Sequence, residues 1–236
     1  MEFLGLPRAG KSTLSHRVAE ILAAGGLPVD EPAYRVAHNL GRPRRAIRKG
    51  MAFVKDALTE PRRVAGSLRV IRASQQRSKA DYLKNLLNWV FVSHLIREPT
   101  GYKQVRLLDQ GLFQAIWSVL LSAGRPNLAD LADAAMRVAP SPAMVVVLEA
   151  SEPRRAARSG GPSRVHADPG RYSGEAVASI YRDVKAAVRR HAEGSDRLRV
   201  IAMDNDDDYG LERNAAVIAD EIRGTLEEGR TGWAEL

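Results

Sequence analysis

The apolar residues of this chain follow two alternating patterns, one typical of strands and the other typical of helices. Short continuous apolar runs, clearest in residues 143–148, are typical of strands buried in a parallel sheet. Between them, apolar residues recur three and four positions apart, which predicts amphipathic helices. The alternation predicts an α/β fold with helices packed on a sheet. The predicted strands are residues 2–4, 27–30, 105–108, 143–148 and 198–203.

One long stretch, residues 33–104, contains no convincing strand pattern and is helical in its periodicity. Pro61 is typical of a first helical turn, and Ser78 with Asp81 resembles a capping box at the start of another helix. A connection of this length is far longer than an ordinary loop. We therefore expect it to be a structured region that binds the acceptor.

Polar and aromatic residues inside this stretch allow two interpretations. Gln75 and Gln76 have the donors and acceptors to read the edge of a base, and an aromatic side chain could stack on that base. Aromatic residues at helical spacing more often belong to a core or to a dimer interface. The aromatic candidates are Tyr34, Trp89 and Phe91.

Composition limits the classes of protein that the sequence fits. The chain has 236 residues, 44% of them hydrophobic, which suits one domain spanning residues 1–236. No apolar run approaches the roughly 20 residues of a membrane span, and no signal-peptide pattern is present. Cysteine is absent, which excludes disulfides and thiolate metal sites. We expect a cytoplasmic protein with no membrane partner. Four histidines are assigned to packing or to the surface: His16, His38, His94 and His191.

The charge balance favours an anionic partner. Lysine and arginine total 36 against 28 acidic residues, which gives a net charge of +8. Basic residues are dense in residues 42–72, where they predict a solvated helix face or, as the alternative, a contact with phosphate or nucleic acid. Charge alone does not separate these partners.

Residues 5–13 carry the most specific motif of the chain, G-L-P-R-A-G-K-S-T, which fits the phosphate-loop pattern G-x-x-x-x-G-K-[ST]. Such a loop points backbone N–H groups at an anion, at the start of a helix. Lys11 is expected to contact the outer phosphates, and the Ser12 hydroxyl to bind the Mg²⁺ that accompanies a nucleoside triphosphate. The predicted nucleotide-binding residues are Pro7, Arg8, Ala9, Gly10, Lys11, Ser12 and Thr13.

Acidic residues follow two predicted strands at the sheet edge that would also hold the phosphate loop. Asp30 and Glu31 follow the second strand, and Glu31 is the stronger candidate for a general base toward an acceptor hydroxyl. Asp109 ends the third strand and is expected to hold magnesium. Helix capping is the alternative role for these acids.

The segment 152–171 is rich in arginine and contains two adjacent glycines. Arg154 and Arg158 are four residues apart and share one face of a short helix, and Arg164 follows on a loop. A basic segment with a glycine hinge is typical of a lid that closes on a transferring phosphate. A solvated surface loop is the alternative.

Together these motifs resemble the thymidylate kinase and deoxynucleoside kinase branch of the phosphate-loop kinases. The resemblance rests on residues 5–13, on D-E-P at 30–32, on L-L-D-Q-G at 107–111, on the arginine-bearing segment 154–164, and on the strand and acidic turn at 199–208. It implies a three-layer α/β/α fold with a five-stranded parallel sheet. It also implies ATP and Mg²⁺ as cofactors, with the γ-phosphate passing to a nucleoside or nucleoside monophosphate.

The resemblance further implies roles by position. Lys11 and Ser12 would hold ATP and Mg²⁺, Glu31 would face the acceptor, and Asp109 would lie near the metal. The acidic turn would lie near the adenine, and residues 82–95 would form the interface of a homodimer. The arginines that would clamp phosphates are Arg154, Arg158 and Arg164.

The identity of the acceptor stays open at this point, because Gln110 stands where the family has an arginine that helps to hold the acceptor. An antibiotic or another secondary metabolite is one alternative acceptor. A polynucleotide 5′-kinase is a second alternative, favoured by the basic helices, although no nucleic-acid module is recognisable. A regulatory ATPase without an acceptor is the third.

Overall fold

The computed structural model of the chain describes residues 1–39, 41–98, 104–124, 128–138, 141–158, 172–195, 197–207 and 210–233. Helices and parallel strands alternate through them, which confirms the predicted α/β class. The strands are β1 (Glu2–Gly5), β2 (Val29–Asp30), β3 (Val105–Arg106), β4 (Met144–Glu149) and β5 (Arg199–Asp204). The helices are α1 (Lys11–Ala24), α2 (Pro32–Asn39), α3 (Arg42–Thr59), α4 (Pro61–Ala73), α5 (Lys79–Arg97), α6 (Leu112–Leu121), α7 (Leu128–Val138), α8 (Glu152–Ala157), α9 (Gly174–Glu193) and α10 (Gly210–Trp233).

The strands form two sheets rather than the single five-stranded sheet that the sequence predicted. Strands β1, β4 and β5 pair in the order β1-β4-β5, and β2 pairs with β3. A parallel bridge between Glu2 and Leu108 joins the two sheets, with Phe3 N donating to Leu108 O at 2.9 Å. Strand β2 is only two residues long because Pro32 starts α2 immediately after it.

The central strands face two hydrophobic cores, one on each side of the sheet. Val145 and Val147 belong to the first core, whereas Val146 and Leu148 belong to the second, as the period of two along a strand requires. Residues of α5, α6 and α9 fill the first core, and residues of α1 and α10 fill the second. The protein thus has helical layers on both faces of the sheet.

Helices α2 to α5 occupy the stretch 32–97, which confirms its helical character. Ser78 caps α5 as predicted, because its Oγ accepts from the Asp81 N–H at 3.1 Å. Gln76 lies at the junction of α4, α5 and α6, where its Oε1 accepts from Asn85 Nδ2 at 2.6 Å. Its Nε2 donates to Val119 O at 3.0 Å. The side-chain hydrogen bonds of Gln76 therefore favour a structural role over the reading of a base.

Most of the large apolar side chains in residues 82–95 are buried inside the chain, and the dimer interface that the resemblance implied there stays a prediction. Leu86, Trp89, Val90, Phe91 and Leu95 are all at most 5% exposed, because α5 is packed against α3, α4 and α6. The exposed large apolar side chains among the described residues of this region are Leu83 on α5 and four residues of α3, namely Ile47, Met51, Val54 and Leu58. Among the described residues, no helix combines the length and the apolar character needed to cross a membrane.

Candidate active site at the phosphate loop

The phosphate loop forms the turn between β1 and α1. Its backbone enters the left-handed region twice, at Arg8 with φ 69° and at Gly10 with φ 97°. A Cβ on Gly10 would lie 2.5 Å from Asn205 Nδ2, and a Cβ on Gly5 would lie 2.8 Å from Leu148 O. Both glycines are therefore required by the close approach of neighbouring chain segments, and Gly10 also by its backbone conformation.

Lys11 lies at the start of α1, and its ammonium group is folded onto the loop. Its Nζ donates to Gly5 O at 2.7 Å and to Leu6 O at 3.0 Å. Burial lowers the pKa of Lys11 to about 8, although the negative charge of Asp109 opposes the change. In these contacts the buried ammonium group is stabilised by two carbonyl oxygens and by the charge of one acid. An added anion would stabilise its charged form further, so Lys11 is a suitable partner for an anion.

Ser12 and Asp109 meet across the sheet edge as the motif predicted. Ser12 Oγ donates to Asp109 Oδ2 at 2.7 Å, and Asp109 is only 3% exposed. A hydroxyl and a carboxylate in contact are oxygen ligands of the kind Mg²⁺ prefers, with phosphate and water oxygens completing its shell. No cluster of three or more potential metal-binding acidic, histidine or cysteine side chains occurs in the described part of the chain. The pair therefore fits a metal that arrives together with phosphates.

Glu2 anchors the turn that carries Asp109. Its two carboxylate oxygens accept from the N–H groups of Leu112 and Phe113 at the start of α6, each at 2.8 Å. Burial raises the pKa of Glu2 to about 7, against the lowering effect of these hydrogen bonds. A Cβ on Gly111 would collide with the Glu2 side chain, so the turn after Asp109 needs this glycine.

The structure separates the two acids that follow β2. Asp30 is buried and bound on both sides by arginine, with Arg106 Nε donating to its Oδ2 at 3.0 Å and Arg35 pairing with Oδ1. Glu31 makes no arginine contact of this kind, and its Oε1 is buried with no hydrogen-bond partner among the described residues. Asp30 is therefore held by the fold, whereas Glu31 has one carboxylate oxygen with no hydrogen-bond partner among the described residues, and its role toward an acceptor stays a prediction.

His16 contacts Glu31 and was missed by the sequence analysis, which assigned it to packing. Its Nδ1 lies 3.1 Å from Glu31 Oε2, and its ring stacks on Tyr34 with centroids 4.8 Å apart. Burial raises the pKa of Glu31, Asp109 adds to the rise, and the hydrogen bond from His16 opposes it. His16 follows Ser12 by four residues on α1, so helical spacing was the available signal that both face the site.

Asn205 and Arg158 hold the loop from its outer side. Asn205 Nδ2 donates to Ala9 O at 2.8 Å, and Arg158 Nη1 donates to the same oxygen at 3.0 Å. Arg158 Nη2 also donates to Asn205 O at 2.7 Å. The sequence analysis predicted an acidic turn here but did not single out Asn205, which is 3% exposed.

The arginines of the predicted lid are placed only in part. Arg154 lies in α8 and Arg158 directly follows this helix, and both side chains are half-buried. In this structure Arg158 binds backbone carbonyls of the loop, so a contact with phosphate stays a prediction. Arg164 and most of the segment 152–171 lie outside the described residues. Gln110 is exposed beside Asp109.

Comparison with known proteins gives distant structural likenesses and no match at the level of sequence. No protein-family profile and no curated protein sequence matches the chain. Among solved structures, the chain is similar to a thymidylate kinase from Candida albicans, with 13% sequence identity and a TM-score of 0.49. The alignment covers 97% of this chain and 91% of that one.

Proposed function

We propose that the protein is an ATP-dependent phosphotransferase whose acceptor is a small molecule, most consistently a nucleoside or a nucleoside monophosphate. The observation that carries the proposal is the convergence of four side chains at one sheet edge. Lys11, Ser12 and Asp109 are arranged for a triphosphate with its metal, and Glu31 presents a carboxylate close enough to Asp109 to feel its charge.

Each side chain has a defined part in the transfer. Ser12 and Asp109 would hold Mg²⁺, which would neutralise phosphate charge when it is bound together with ATP. Lys11 exchanges its two carbonyl acceptors for oxygens of the outer phosphates, to which it donates. Glu31 takes the proton of the acceptor hydroxyl as that oxygen forms its bond to the γ-phosphorus and the bond to the leaving phosphate breaks. Because burial raises the pKa of Glu31, its carboxylate is a stronger base than an exposed glutamate.

The class of acceptor rests on the motifs at residues 30–32 and 107–111. Gln110 carries no positive charge for an acceptor phosphate. Neutral nucleosides and charged nucleotides must therefore be compared directly. The purified protein with ATP and Mg²⁺ should be incubated with pools of nucleosides, nucleoside monophosphates, oligonucleotides or buffer alone, and the phosphorylated product identified by mass. Phosphorylated oligonucleotide would select the polynucleotide alternative, and ATP hydrolysis without an acceptor would select the regulatory ATPase.

Triphosphate affinity is expected to fall as pH rises above 8. In the free protein burial lowers the pKa of Lys11 to about 8, whereas a bound phosphate favours the ammonium form and raises that pKa in the complex. Binding above pH 8 then requires uptake of a proton, and affinity falls by up to about tenfold per pH unit. Calorimetry of MgATP binding at pH 7, 8 and 9 measures the affinity. Repeating it in two buffers of different ionisation enthalpy measures the number of protons taken up. An affinity that stays constant over this range would contradict the assignment of Lys11.

Replacing His16 is expected to shift the pH–rate profile along the pH axis, and not only to lower the maximal rate. His16→Leu removes the hydrogen bond that lowers the pKa of Glu31, so the acidic limb of the pH–rate profile should move to higher pH. His16→Asn is the matched control, since its side-chain amide can donate from nearly the position of Nδ1. The profile of His16→Asn should stay close to that of the wild type. A uniform loss of rate at all pH values in His16→Leu would reduce His16 to a packing residue.

A further inference from the structure

Helix α3 carries a row of exposed apolar side chains on its outer face, which we call the α3 crest. Its members Ile47, Met51, Val54 and Leu58 are 61%, 67%, 57% and 79% exposed. Their spacing of four, three and four residues places them on one helix face, along a line of about 16 Å. The other exposed large apolar side chains among the described residues are Leu83 on α5 and Val217 and Leu226 on α10.

The opposite face of α3 already satisfies its contacts with the rest of the protein. Ala52 is buried there, and the buried Asp56 pairs with His94, whose Nδ1 lies 2.7 Å from Oδ1, and with Arg97. Lys49 Nζ donates to Asn88 Oδ1 on α5 at 2.9 Å. The contacts of α3 with α5 are therefore made by the face opposite the crest, and the crest side chains stay exposed in the folded protein.

The surroundings of the crest are strongly basic. Residues 42–84 contain 13 lysines and arginines and three acidic residues, a net charge of +10, whereas the whole chain carries +8. The helices α3 to α5 therefore hold all the net positive charge of the protein. On α3 itself, the exposed Arg44, Arg48 and Lys55 lie along one flank of the crest.

We propose that the α3 crest binds the surface of an anionic lipid bilayer. A helix with an apolar row and basic flanks lies in the interface plane, with the apolar side chains about 5–10 Å into the headgroup boundary and the basic side chains on anionic lipid. The crest fits this geometry because its side chains stand out from the surface, so that a flat, deformable partner can cover them all. This is binding at the surface and not a membrane span, so it agrees with the absence of a spanning helix among the described residues. It departs from the expectation, drawn from the sequence, that the protein has no membrane partner.

Charge and chemistry argue against the other occupants. A second copy of the chain would bring an equally basic face against the crest, and like charges oppose such contact. A nucleic-acid backbone would satisfy the basic flank but would leave four aliphatic side chains against phosphates, since base stacking needs aromatic or guanidinium groups. An anionic bilayer satisfies both the charges and the apolar row.

Vesicle flotation tests the proposal with the full-length protein. Vesicles of phosphatidylcholine alone are compared with vesicles that also contain phosphatidylserine, at low and at physiological salt. We expect binding only to the anionic vesicles. The apolar variant Met51→Gln/Leu58→Gln should lower the partition coefficient on the order of tenfold or more. The charge variant Arg44→Glu/Arg48→Glu/Lys55→Glu should lower it at least about 100-fold.

Matched controls separate the crest from general surface properties. Val217→Gln/Leu226→Gln removes two exposed apolar side chains from α10, and Arg182→Glu/Arg189→Glu/Arg197→Glu reverses three exposed charges elsewhere. The apolar control should bind vesicles as the wild type does, and the charge control should lose much less binding than the crest variant. All variants must show wild-type thermal unfolding, which the exposure of the replaced side chains favours.

Three outcomes would overturn the proposal. Unchanged vesicle binding by Met51→Gln/Leu58→Gln would show an attraction of charge only. Failure of the wild type to bind vesicles, together with a dimer that this variant dissociates in sedimentation experiments, would assign the crest to a second copy. If an oligonucleotide displaced the protein from vesicles and bound the wild type and Met51→Gln/Leu58→Gln with equal affinity, the basic flank would be assigned to nucleic acid.

Discussion

Replacing Lys11 with methionine is expected to lower the rate of phosphoryl transfer by at least about 10²- to 10³-fold while the fold stays intact. Methionine keeps most of the buried stem but removes the ammonium group that donates to Gly5 O and Leu6 O in the free protein. That group is the cation placed to stabilise charge on the outer phosphates. The rate should be measured in single turnover, with the acceptor pool that yields a phosphorylated product.

The expected effect on stability is small because two contributions oppose each other. Methionine removes a buried charge, which favours the folded state, but leaves two loop carbonyls without this donor. Thermal unfolding should therefore give a melting temperature near that of the wild type. Lys79→Met, at an exposed position at the start of α5, is the control and should leave the rate unchanged. Wild-type rates in Lys11→Met would remove the basis for a phosphate loop in this chain.

Replacing Glu31 with glutamine is expected to slow the chemical step by about 10²- to 10⁴-fold with little change in MgATP affinity. Glutamine keeps the shape of the side chain and can still contact His16, but it cannot take the proton of an acceptor hydroxyl. Single-turnover rates give the chemical step, and calorimetry gives the affinity. Equal loss in both quantities would indicate that Glu31 organises the site rather than acting as its base.

Asp30→Asn provides the neighbouring control for this prediction. Asp30 is bound by Arg35 and Arg106, so the loss of its charge should lower the free energy of unfolding on the order of 1–3 kcal/mol. The effect is limited because the Arg35 side chain is 59% exposed. The rate per folded molecule should stay near that of the wild type. If Asp30→Asn impaired the rate more than Glu31→Gln did, the roles of the two acids would be reversed.

The parts of the site that the sequence predicted are those with a local signal. The loop at residues 5–13 has fixed residues at fixed spacing, and Asp109 follows a short apolar strand, so both could be placed without knowledge of the fold. The two are 97 residues apart, and yet Ser12 Oγ and Asp109 Oδ2 are in contact. Parallel strands bring their carboxyl ends to one edge, which explains why this long-range pairing was predictable.

The parts that the sequence analysis missed depend on contacts without a local signal. The sequence analysis ranked Glu31 above Asp30 as a base, but only the approach of Arg106 from β3 shows that Asp30 is bound within the fold. The structural role that the hydrogen bonds of Gln76 favour also had no local signal, since its partners lie on α5 and α6. The single five-stranded sheet was implied by the family resemblance, and apolar runs do not reveal that β2 and β3 are only two residues long and reach β1 through one bridge.

The oxygen of Ala9 joins distant stretches of the polypeptide. It accepts hydrogen bonds from Asn205 and Arg158, which lie 196 and 149 residues further along the chain. A peptide of residues 1–24 would contain the complete phosphate-loop motif and lack both donors. The conformation of the phosphate loop thus depends on contacts that only the folded domain supplies. A fragment that carries the motif alone is expected to bind an anion more weakly than the whole domain.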